Sequence, residues 1–284
     1  MLSDIMRMQN YLGVILIMKK FLTILLGLAC VTVLFYGHNY WKQRIASASN
    51  TAVSSTSDQQ SLEVTSQNDD SDTDLLAYTS NWPAHSVDRF KESLHEKTSF
   101  NVLFVGSRAI GTKNKGAFPF IKEQLIDTFG EKNIQVAIKT FDSNSTEFLK
   151  KKEQVEISAE KADLIILEPF ILMNNGVVLI EDTLKNTSKI IDDIKTKNPD
   201  TEFILQPSYP LYNAKIYPKQ VEALKEYAAD KEIPYLDHWS AWPETDNEKL
   251  KNYLLPDQSA PNEKGDKVWS DYILQFLISK SESE

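Results

Sequence analysis

Two hydrophobic periods alternate along residues 100–280. The runs "FNVLFVG" (100–106), "IQVAIKTF" (134–141), "ADLIILEPF" (162–170), "TEFILQPS" (201–208) and "IPYLDHW" (233–239) are short, apolar and rich in β-branched or aromatic residues, as strands are. Between them lie amphipathic stretches at 116–130, 146–161, 179–199, 218–232 and 262–280, and "NWPAHSVDRFKESLHEK" sets Val87, Phe90 and Leu94 at the spacing of a lead-in helix. Strands that alternate with helices predict an α/β domain. Its architecture is a three-layer α/β/α sandwich around a five-stranded, mostly parallel sheet. "VLFV", "LIIL" and "FILQ" are almost continuously apolar, which suits strands covered on both faces. In such sheets ligands bind beyond the carboxyl ends of the strands, so the loops after Val105, Phe141, Leu167, Gln206 and Leu236 form one rim.

The pattern before residue 76 is different. "MKKFLTILLGLACVTVLFYGHNYWKQR" begins at Met18 with two lysines and runs apolar for 16 residues, Phe21 to Tyr36, slightly short of the ~20 that cross a bilayer. Tyr40 and Trp41 extend it at headgroup level. Cys30 invites a lipoprotein reading, but Gly27 stands where a leucine-like residue is expected and the apolar run continues past the cysteine. Residues 1–44 are therefore expected to be a signal anchor whose true start is Met18. Residues 45–75 are dominated by Ser, Thr, Asp, Asn and Gln without periodicity and read as a disordered tether. Residues 76–284 form the working domain, expected to be held outside a cell membrane by a single span.

A formal charge of −9 over 284 residues gives no basic face for nucleic acid. One cysteine and four histidines without metal-ligand spacing leave no metal site to expect, and no glycine pattern for a nucleotide cofactor is present.

Candidate chemistry collects on the rim. The first strand ends in "VGSRAIG" (105–111), where a tight Gly-Ser turn exposes a hydroxyl and clustered N–H groups, although such a pair is most often only a turn. The last loop reads "DQSAPNEKG" (257–265). Together these blocks resemble the SGNH or GDSL hydrolases, which carry Gly-Asp-Ser-Leu-Thr-x-Gly after the first strand and Asp-x-x-His-Pro-Asn before the last helix. Ser107 and Gly111 match the first block, with Gly106 at the aspartate; Asp257, Pro261 and Asn262 match the second, with Ala260 at the histidine. The resemblance implies a flavodoxin-like SGNH hydrolase fold, Ser107 as nucleophile and Asp257 as its acidic partner.

The middle blocks diverge. Asn144 stands in the loop after the second strand, where the family has an oxyanion-hole glycine, and Asn174 or Asn175 offers an oxyanion donor a few residues late. Glu168 is a carboxylate at the third strand's end. His238, after the fifth strand, is the histidine on the rim: a substitute base, or a ring packed between Trp239 and Trp242. Gln206, Trp239 and Asn262, with Tyr209, Tyr212, Tyr217, Trp242 and Asn213, give aromatic and amide groups of the kind that suit sugar rings, with core packing as the alternative role for some of them. The expected function is that of a membrane-tethered serine esterase deacylating, or transferring acyl groups on, a cell-envelope carbohydrate. The alternative is a catalytically degenerate relative that binds an envelope glycan or an assembly partner.

Overall fold

The computed structural model describes residues 68–279. The expected anchor, residues 1–44, and most of the expected tether lie outside the described residues. The tether's last part does not: Asn68–Leu76 forms helix α1, because Leu75 and Leu76 pack against the core. No described helix is long and apolar enough to cross a membrane.

Four parallel strands, β1 (Phe100–Ser107), β2 (Ile134–Phe141), β3 (Leu164–Leu167) and β4 (Glu202–Leu205), form a sheet of order β2-β1-β3-β4. The expected fifth strand is reduced to one bridge. Leu205 N–H donates to Pro234 O at 2.8 Å, Leu236 N–H donates to Leu205 O at 2.8 Å, and Tyr235 pairs with Leu205. Pro234 brings no N–H to a ladder, and Asp237 leads into a 3-10 turn at His238–Ala241, so pairing ends there.

Alternate strand residues serve the two faces. Val102, Phe104, Val136, Ile138, Leu164, Ile166 and Ile204 pack under α2 (Ala84–Glu96), α3 (Phe118–Phe129) and the last helix. Leu103, Val105, Ile165, Leu167, Phe203 and Leu205 pack on the other side. That side is covered by α4 (Ser145–Lys151), α5 (Gln154–Ala159), α7 (Ile180–Lys197) and α8 (Tyr217–Asp230). The single helix expected over 146–161 is two, because Lys152 takes a left-handed conformation (φ 60°) that ends α4. A short helix, α6 (Ile171–Asn174), follows β3, and α9 (Glu263–Leu277) closes the fold.

The lead-in segment covers the pole opposite the rim. Trp82 stacks on Phe100 at the start of β1, its Nε1–H donates to Leu277 O at 2.9 Å, and Phe90 meets Phe129 edge-on. β1 feeds β2 on one side and β3 lies on the other, so the strand order reverses between β1 and β3. Ligands of open α/β sheets bind at that crevice. Ser107 ends β1 there, and Glu168 follows β3.

Candidate functional site

Gly106, Ser107 and Glu168 meet at the crevice. Ser107 pairs in register with Phe141 and is fully buried. Its Oγ caps the 3-10 turn Arg108–Ile110 by accepting from Ala109 N–H at 3.3 Å. Its own N–H donates to Glu168 Oε2 at 2.8 Å, and Ser208 Oγ donates to Oε1 at 2.7 Å. Glu168 is thus a buried clasp between the ends of β1, β3 and β4. Burial pushes its carboxyl up from the ordinary range, against hydrogen bonds from Ser107, Ser208 and the Ile171 backbone that favour the charged form. The turn that aims it carries strain: Phe170, two residues on, holds φ 63°, uncommon for a bulky side chain.

Oxyanion stabilisation requires N–H groups aimed at empty space where charge develops. The Ser107 N–H is aimed at an internal carboxylate instead. The expected donors Asn144 and Asn174 are committed as well. Asn144 Oδ1 caps α4 by accepting from Glu147 N–H at 3.0 Å. Asn174 is buried, accepts from Ser145 N–H at 2.9 Å, and donates to Ser145 Oγ at 2.9 Å and Thr183 Oγ1 at 2.8 Å. It cross-links α4, α6 and α7. Asn175 follows as the residue ending α6.

The base expected at His238 is corrected by its contacts. The ring is fully buried and stacks on Trp269, centroids 4.6 Å apart and planes 17° from parallel. Trp242 Nε1 lies 3.2 Å from Nδ1, and an indole nitrogen can only donate, so Nδ1 accepts and the ring proton sits on Nε2. Nε2–H then donates to Pro207 O at 3.0 Å. Both nitrogens are occupied, and no lone pair remains to take a proton from serine. Burial pulls the ring's pKa down to about 4, only partly opposed by Pro207 O and Asp237.

The last block is a hydrogen-bonded loop with Ala260 within it. Leu254 and Pro261 form an antiparallel bridge, and Leu255 N–H donates to Ala260 O at 2.9 Å. Asp257, with no histidine to orient, accepts from Ser259 N–H at 3.0 Å and Ser259 Oγ at 2.7 Å, which hold its carboxyl below the usual range. Asn262 is the N-cap of α9, accepting from Lys264 and Gly265 N–H at 3.0 and 3.2 Å. Its Nδ2 donates to Asn252 O and Leu254 O at 3.0 and 3.1 Å. Pro-Asn here is loop architecture.

The aromatic rim is mostly core. Tyr209, Tyr217 and Trp242 are buried; Trp239 Nε1–H donates to Ser208 O at 2.7 Å, and buried Gln206 accepts from Trp269 Nε1–H at 3.1 Å. Tyr209 links the two ends of the site, its OH donating to Gln258 O at 3.2 Å. Burial and then the Asp257 and Glu168 carboxylates push its phenol up to about 12. Tyr212 is half-buried, with the Lys251 ammonium 4.3 Å from its ring centre. Sequence reasoning missed Ser208, the second donor to Glu168, and Arg108, whose guanidinium reaches Asp142 Oδ1 at 2.8 Å on the exposed rim. "QPSYP" directly after a strand was the available signal for Ser208. Among the described residues no group of three His, Cys, Asp or Glu side chains could hold a metal.

No protein-family model matches the sequence, and no curated protein does. Solved structures do match. A protein described as a GDSL-like lipase from Parabacteroides merdae superposes with a TM-score of 0.54 at 11% identity, over 64% of this chain and 96% of its own. The acetyl xylan esterase AlAXEase gives 0.52 at 13%, over 63% and 100%. A catalytic mutant of the acetylxylan esterase Axe2 from Geobacillus stearothermophilus gives 0.50 at 15%, over 66% and 98%. The chain has the SGNH/GDSL hydrolase fold.

Proposed function

We propose that the domain is a non-hydrolytic protein on the SGNH fold that binds a cell-envelope carbohydrate, tethered to the membrane by residues 1–44 with the domain outside. One observation carries this reading: Ser107 is buried with its N–H donated to Glu168, while neither Ala260 nor His238 supplies a free imidazole. Acyl transfer through serine needs a reachable hydroxyl, a base and an empty oxyanion site, and each of the three is compromised. A carbohydrate ligand is supported by the two neighbours named acetylxylan esterases and by the half-buried Tyr212 ring on the rim. The test is calorimetric titration of the full chain with O-acetylated and de-acetylated envelope polysaccharide, with free acetate assayed in parallel. Binding without acetate release is expected; no heat with either polymer contradicts the carbohydrate assignment.

A second reading, an esterase acting on the same class of substrate, is favoured by one feature. Ser107 still ends β1 at the reversal of strand order, one hydrogen bond from a carboxylate whose proton affinity burial raises. Acetate release lost in Ser107→Ala would establish it.

A further inference from the structure

We infer that the rim position from which this fold presents a nucleophile is held by Arg108, and that Ser107 occupies the place of the first block's aspartate. The inference rests on the non-hydrolytic reading above and deepens it.

Residue 106 sets the register. A Cβ built on Gly106 would lie 2.7 Å from Glu168 Cβ and 2.9 Å from its Oε2, well inside carbon contact distance. A position that Glu168 closes to every side chain fits the glycine that opens Gly-Asp-Ser better than the aspartate. Ser107 then falls on the aspartate. Its surroundings agree: it is the last, buried residue of β1 and touches a carboxylate. Glu168 brings from β3 the acid group that the block carries on β1. Arg108 falls on the serine. It is the first residue past the strand, its side chain is 65% exposed, and it pairs with Asp142 just beyond β2.

The shift costs one match at the far end. Gly111 stands three residues after Arg108, where the block's last glycine stands four after its serine. Gly111 is required by its own turn in either register, because φ is 90° and a Cβ there would meet Lys115 O at 2.5 Å. An arginine at the nucleophile position cannot be acylated in place of serine. Its guanidinium offers a planar fork of donors, suited to holding oxygen atoms of a bound ligand.

The test restores the missing parts of the apparatus. Full-length Ala260→His, and the double variant Ala260→His with Arg108→Ser, are treated with a fluorophosphonate and the modified peptide is located by mass spectrometry. Capture forms an O–P bond from the introduced hydroxyl, breaks P–F, expels fluoride and passes the hydroxyl proton to the introduced imidazole. Capture at position 108 is expected in the double variant about 100-fold faster than in full-length Arg108→Ser alone, the scale of a positioned base, and absent from position 108 in Ala260→His alone. It is expected to survive addition of Ser107→Ala. Capture at Ser107, loss of capture with Ser107→Ala, or no capture in a double variant that unfolds at the wild-type temperature overturns the register. If the double variant does not fold, thiol labelling decides. In a Cys30→Ala background Arg108→Cys should react at the rate of a free thiol and Ser107→Cys at least about 100-fold slower, limited by local opening. Equal rates overturn the inference. Wild-type turnover that disappears in Ser107→Ala would sink the non-hydrolytic reading too, whereas an inert wild type without capture at 108 sinks the register alone.

Discussion

The backbone N–H of Ser107 donates to Glu168 Oε2 across 2.8 Å, joining the end of β1 to the end of β3 where the strand order reverses. The hydrogen bond commits the Ser107 N–H to a buried carboxyl of the protein's own. Stability, rather than catalysis, is what this pair should control.

Glu168→Gln tests that directly. A glutamine can accept from Ser107 N–H and donate to Ser208 Oγ, so the clasp survives without its charge. The wild-type carboxyl is raised by burial, so the folded state holds a proton that the unfolded state releases. That contribution is present below the ordinary glutamate range and is lost as pH rises through the raised folded value, at up to about 1.4 kcal/mol per unit. Denaturant titrations should therefore find Glu168→Gln gaining on the wild type between pH 5 and pH 8. A constant difference would place the charge in solvent.

His238 acts in the opposite sense. Its folded pKa, lowered to about 4, lies below the unfolded value of 6.5, so its stability is full above 6.5 and falls as pH drops toward 4. The loss amounts to about 3 kcal/mol over that window. His238→Gln should remove this pH dependence, and nitrogen NMR of the wild-type ring should find the proton on Nε2. A ring titrating near 6.5 would contradict the assignment.

Gly106→Ala forces a Cβ to within 2.7 Å of Glu168 Cβ. Overpacking of this kind should cost about 1–3 kcal/mol in a denaturant titration. Gly106→Asp, which writes the aspartate at the place first matched to it, should cost more. A wild-type midpoint for either would remove the basis for the register.

Asn174→Ala strips three hydrogen bonds from a buried site and leaves Ser145 N–H without its acceptor. A loss of about 2–3 kcal/mol is expected, with carbohydrate binding unchanged at a temperature where the variant is folded. Weakened binding at full stability would instead make Asn174 a ligand-contacting donor.

The helices and four strands were legible because their apolar period is strong: "VLFV" and "LIIL" are core strands in the structure as in the pattern. The fifth strand was overread, since "IPYLDHW" has a strand's composition but Pro234 cannot extend a ladder. Helix α1 was hidden in an acidic, serine-rich stretch because only Leu75 and Leu76 anchor it. The loops at the strand ends were legible, and the contacts of their side chains were not. Which way Ser107 points depends on the close approach of β3 at Gly106, and the fate of His238 depends on Trp269, thirty-one residues away in sequence. Such tertiary partners leave no periodic trace.

Buried at the end of β1 with its N–H on Glu168, Ser107 is expected not to act as a nucleophile. The deciding measurement is turnover of a short-chain acyl ester by the full-length wild type beside Ser107→Ala. Equal background rates are expected; a wild-type rate that falls to background in Ser107→Ala would make Ser107 the nucleophile.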